Sequence, residues 1–134
     1  MTYHRVLTVA SVLTVLLMTV HLADDIVRGM EKGGPPNLLA VPILVTWLYT
    51  ALFVAERRSG YVILLLGSLL GAFVPVIHFR APGGVAGGGI ASSTGALFWV
   101  WTLVTLGVTS VLAFILAARA LWESFRRGTD RQVA

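Results

Sequence analysis

The sequence predicts an all-α, polytopic membrane protein folded as an antiparallel four-transmembrane-helix bundle. Of its 134 residues 57% are hydrophobic and only 12% charged, and the mean hydropathy of +0.86 lies outside the soluble range. The apolar residues gather into four stretches, each long enough to cross roughly 30 Å of hydrocarbon. Glycine, proline and basic residues stand between them. The stretches are too long and too evenly apolar for barrel strands, and a helix satisfies its own backbone in lipid.

The first span, 6–27, follows Met1-Thr2-Tyr3-His4-Arg5 and has the outline of a signal peptide. Ending its apolar run at Ala23 would put His21 where cleavage requires a small residue, so the span is expected to stay uncleaved. Gly33-Gly34-Pro35-Pro36-Asn37 separates it from the second span, 38–55, with Asn37 as the expected N-cap. Ser59-Gly60 is expected to form a tight turn before the third span, 61–79. A glycine-rich outer loop, 81–94, leads into the fourth span, 95–121, and a basic tail, 122–134, closes this single integral membrane domain. The loop lacks the lysine and hydroxyl context of a phosphate loop and reads as a flexible linker or a flap over the outer end of the bundle.

Orientation is read from the basic residues. Arg5, Arg57, Arg58, Arg119, Arg126, Arg127 and Arg131 fall on one side, and Arg28, Lys32 and Arg80 on the other. The positive-inside rule then places both termini in the cytoplasm, as a multi-pass protein of the cell (inner) membrane. Trp99 and Trp101 are expected at the outer interface and Trp122 at the inner one. The net charge of +4 is spread over helix ends, which suits anionic lipid headgroups and not nucleic acid.

Function is sought where polarity interrupts the apolar spans. His21-Leu22-Ala23-Asp24-Asp25-Ile26-Val27-Arg28 comes after an apolar run with no intervening charge. Each ionisable group next to lipid costs roughly 2.5–3.5 kcal/mol, so such a cluster is expected to face protein or water. With His21 at zero on a helical wheel, Asp25 falls at about +40°, Asp24 at about −60° and Arg28 at about −20°. In the third span Gly67, Gly71 and His78 share an arc, Gly67 to Gly71 is a GxxxG pattern, and Pro75 is expected to kink the helix and aim His78. Counting residues at about 1.5 Å each puts His21, Asp24, Asp25 and His78 at similar heights near the outer face, on diagonal helices. Thr46, Thr50, Thr102, Thr105 and Thr109 are expected to bond back to the preceding turn.

Four readings of the cluster remain open at this level. A divalent metal ion suits His21, Asp24, Asp25 and His78, because with no cysteine in the chain only imidazole and oxygen ligands are available. A b-type haem would use His21 and His78 as axial ligands, with Arg28 and Arg80 near the propionates. Proton-linked movement of a small solute would use an aspartate with His21 as relay, and a homo-oligomer through Gly67 and Gly71 could supply further walls. The alternative is a non-catalytic accessory or structural subunit of a larger membrane complex, with Asp24 and Asp25 paired to Arg28 and Arg80. No GxSxG or HExxH signature and no carboxylate pair on separate helices points to an enzyme.

Overall fold

The computed structural model of the chain describes residues 2–80, 85, 90 and 94–133, the side chains of residue 2 and of residues 128–133 excepted. Four helices are long and apolar enough to cross a membrane. They are α1 (Thr2–Val27), α2 (Ala40–Tyr49, continued by a π-helical turn, Thr50–Val54), α3 (Arg58–Arg80) and α4 (Ala96–Val133). No strand occurs among the described residues. Most of the expected glycine-rich loop, including Gly83, Gly84 and Gly87 to Gly89, and the side chain of Arg131 lie outside the described residues. The segment expected as a tail continues α4 as helix to Val133.

The helix ends differ from expectation at the starts of the α2 segment and of α3. The α2 segment begins one turn early, as a 3-10 turn over Pro35–Leu39 with Gly34 as its cap. Asn37 is therefore inside that turn, its backbone N–H bonded to the Gly34 carbonyl at 3.0 Å, and its side chain caps nothing. Two prolines at the first helical positions, where no N–H is needed, set this earlier start. Ser59 and Gly60 belong to the first turn of α3, because the reversal is made by Ala55 to Arg57. Gly60 is needed there for its small size: a Cβ would collide with the Val54 carbonyl.

α4 packs along both α1 and α3, and α2 closes the remaining side. Its buried face runs Trp99, Leu103, Leu106, Ser110, Ala113, Ala117 and Ala120, a three-and-four spacing that puts small residues on one stripe and lets neighbours approach. The largest core cluster joins Leu7 and Val15 of α1, Trp47 and Ala51 of the α2 segment, Tyr61 and Leu64 of α3, and Ala117 and Ala120 of α4. Val9, Leu13, Leu16, Leu66, Leu70, Val104 and Val108 stay exposed on the outer faces. That inversion fits a bundle whose solvent is lipid.

The GxxxG glycines are occupied inside the chain. A Cβ on Gly67 would fall 2.6 Å from the Trp47 indole, and one on Gly71 would meet Ser110 Oγ and Thr14. Each glycine is therefore used for close packing within the chain itself. Gly71 is instead where α1, α3 and α4 converge. One turn before Ser110, α4 makes the converse contact with α3, where a Cβ on Gly107 would lie 2.9 Å from the Pro75 ring.

Candidate metal centre

The site begins with the way α1 ends. Gly29 adopts a left-handed conformation, φ 71°. Its N–H bonds to the Ile26 carbonyl at 3.1 Å, and the Met30 N–H to the Asp25 carbonyl at 2.9 Å, a Schellman closure. Glycine adopts this conformation without the strain a Cβ would add. The closure places Asp25 in the last turn of α1, one turn beyond His21, with both side chains turned into the bundle.

Three helices meet at the Asp25 carboxylate. His78 of α3 places Nε2 2.8 Å from Oδ2. Trp99 of α4 donates its indole N–H to Oδ1 at 2.6 Å. His21 Nε2 lies 3.5 Å from Oδ2. His21 is 1% and Asp25 2% exposed, Trp99 is fully buried, and the His78 side chain is 24% exposed. The rings of His21, His78 and Trp99 pack against one another at centroid separations of 4.9, 5.3 and 5.7 Å. Trp99 also shares a hydrophobic cluster with Ile90 and Leu103, against which Val74 packs.

The hydrogen-bond inventory of this group does not close. His78 Nδ1 faces the Val74 carbonyl at 2.9 Å, and a carbonyl can only accept, so Nδ1 carries the hydrogen. In a neutral imidazole Nε2 then carries a lone pair, and here it points at a carboxylate oxygen. Two acceptors at 2.8 Å require a proton or a cation between them. Both ring nitrogens of His21 are likewise buried without a hydrogen-bond partner.

The three ligand atoms of His21, Asp25 and His78 all lie within 4.8 Å of one another, and the group could hold a metal ion. A tetrahedral ion with bonds of about 2.0–2.1 Å needs ligand atoms roughly 3.3 Å apart. The 2.8 and 3.5 Å separations bracket that value. The surroundings also match what ligating side chains need: a backbone carbonyl fixes the tautomer of His78, and an indole N–H holds the second oxygen of Asp25.

Asp24 and Arg28 pair with each other, as the accessory-subunit reading expects, and with Arg80 stand apart from the three-residue group. The Asp24 carboxylate points away from the cluster and binds Arg28 Nε at 2.7 Å. The same guanidinium donates to the Thr94 carbonyl at 2.8 Å and the Gly95 carbonyl at 3.2 Å, tying the end of α1 to the start of α4. Arg80 is exposed at the end of α3. The haem arrangement does not fit these residues. Axial imidazoles must lie on opposite faces of a macrocycle, whereas here they converge on one oxygen, touch each other, and leave no slot between them.

Trp99 is the site residue that sequence reasoning missed. It was expected at the membrane interface with Trp101, but only Trp101 is exposed there, at 64%. The signal was its spacing: Trp99 stands three or four residues before Thr102 and Leu103 on the small-residue stripe, while Trp101 is about 200° away. Thr102 and Thr109 bond back to Trp99 and Thr105 carbonyls, as expected of membrane threonines. No protein-family model, curated protein or solved structure matches the chain.

Proposed function

We propose that this chain is a multi-pass protein of the cell membrane that binds a divalent transition-metal ion through His21 Nε2, Asp25 Oδ2 and His78 Nε2. The observation that carries the reading is the pair of imidazoles facing one carboxylate oxygen, one of them, His78, with its hydrogen committed to the Val74 carbonyl so that its neutral Nε2 has none to give. Two imidazoles and one carboxylate suit Zn²⁺, Mn²⁺ or Fe²⁺, and three protein ligands leave a position for water or a solute. His78 is the partly exposed member, so an ion enters and leaves past it. Positive-inside counting puts both termini in the cytoplasm and the metal centre at the outer end of the bundle.

The test is elemental analysis of protein purified without chelator, and then reloading with Zn²⁺ or Mn²⁺ alone. About one ion per chain is expected, lost on acidification because imidazole must be neutral to ligate. His21→Ala and His78→Ala each remove the ion, and His78→Gln does the same while preserving volume. Folded wild-type protein that neither retains nor reloads metal defeats the reading.

A second reading rests on Asp25 itself. Its two oxygens are already engaged by His78 and Trp99, a lock between three helices that a shared proton would satisfy without metal. The chain is then a structural or accessory subunit. It predicts metal-free protein that melts at the same temperature with or without added ion.

A further inference from the structure

Two cavities at the arginine-rich end of the bundle share a wall. One, about 700 Å³, lies between His4, Arg5 and Thr8 of α1 and Glu56, just beyond the α2 segment. The other, about 280 Å³, is apolar and runs along Val6, Val9 and Leu13 of α1 beside Leu112 of α4. Arg5 and Val9 line both. Arg5 and Glu56 are exposed, and neither has a hydrogen-bond or ion-pair partner among the described residues. Opposite charges that border one cavity without meeting leave room for a molecule that carries both signs.

His4 is already positioned at the rim. Its ring stacks on Tyr61 at 6.2 Å between centroids, with the Tyr61 hydroxyl 3.4 Å from Nδ1. From Arg5 to Leu13 the apolar groove tracks α1 for about 12 Å, enough for the first half of an acyl chain. A charged, two-signed mouth that opens onto an apolar groove is the shape of a phospholipid.

We propose that this end of the bundle binds a zwitterionic phospholipid with a primary-ammonium headgroup. The phosphate lies against Arg5, the ammonium against Glu56, and one acyl chain runs along Val6, Val9 and Leu13 toward Leu112. Glu56 sets the choice of headgroup, since a purely anionic lipid would place its charge beside a carboxylate.

Full-length protein stripped of lipid in detergent is titrated with phosphatidylethanolamine, phosphatidylglycerol and diacylglycerol, and the bound lipid is counted by native mass spectrometry. Phosphatidylethanolamine is expected to bind most tightly. Arg5→Gln weakens both phospholipids by roughly two- to fivefold, the size of a partly exposed ion pair. Glu56→Gln removes the preference for phosphatidylethanolamine over phosphatidylglycerol, and Glu56→Asp keeps it. Equal retention of the three lipids, tighter binding of phosphatidylglycerol, or an unchanged preference in Glu56→Gln overturns the proposal. Metal content is unaffected in every arm, so the outcome is independent of the metal reading.

Discussion

At one end of the bundle Asp25, 2% exposed, is held by an imidazole and an indole from two other helices. At the other, Glu123 is 45% exposed and meets Arg119, itself 68% exposed, one turn away on its own helix. Each end also has a histidine packed on aromatic rings: His21 between His78 and Trp99, and His4 between Tyr3 and Tyr61. The Tyr3 hydroxyl reaches the Leu116 carbonyl there, across to α4. The residue types are alike, but only the first end buries its carboxylate and one imidazole and aims a second imidazole at the same point. Shielding and convergence across helices make a group that could hold a metal ion, whereas an exposed local pair is screened and weak.

The comparison breaks most sharply at Asp25. Asp25→Ala is expected to abolish metal retention and to destabilise the fold by about 3–5 kcal/mol, because the imidazoles lose the buried carboxylate they face and the Trp99 N–H loses its acceptor. Chemical unfolding in detergent, run beside elemental analysis, reads both effects, and wild-type stability in this variant would place the two ends on a par. Gly71→Ala is a control outside either end. Its Cβ collides with Ser110 Oγ, and a loss of about 1–3 kcal/mol is expected with the metal stoichiometry preserved. Trp99→Phe keeps a ring against His21 and His78 but removes the N–H to Asp25. Interhelical hydrogen bonds in membranes are worth about 1 kcal/mol, while metal affinity should fall about 10- to 100-fold, a split that titration with Zn²⁺ measures. The smallest effects belong to the carboxylates outside the centre. Asp24→Asn is expected to cost about 1 kcal/mol or less, and Glu123→Gln to leave melting temperature and metal content unchanged. Loss of the ion in Asp24→Asn would move the centre onto the neighbouring residue.

Much of the fold was legible because lipid imposes a length and a polarity that hydropathy reads directly. The helix ends were less so: the paired prolines that begin the α2 segment early and the glycine pressed onto Val54 answer to neighbours, not to local signals. At the site, periodicity and depth alone already put His21, Asp25 and His78 at one height on faces that can meet. They could not separate Asp25 from Asp24, since the two flank one arc of α1 and only the position of α3 and α4 decides which is covered. The same ignorance of helix neighbours left Trp99 among the interfacial aromatics and gave no sign that Gly67 and Gly71 meet Trp47 and Ser110. Both gaps concern who packs on whom, which a single helix does not encode.

The lock between Asp25 and Trp99 also has a history in time. The two residues are 74 positions apart, and the donor belongs to the last helix while the acceptor belongs to the first. At about 5–20 residues per second, ribosomal synthesis leaves Asp25 without Trp99 for roughly 4–15 s. His78 emerges earlier, so α1 and α3 can pair before α4 arrives. A chain stopped after α3 would therefore hold its ligands together without the indole that steadies them, and the insertion machinery would meet a half-built centre before a complete one.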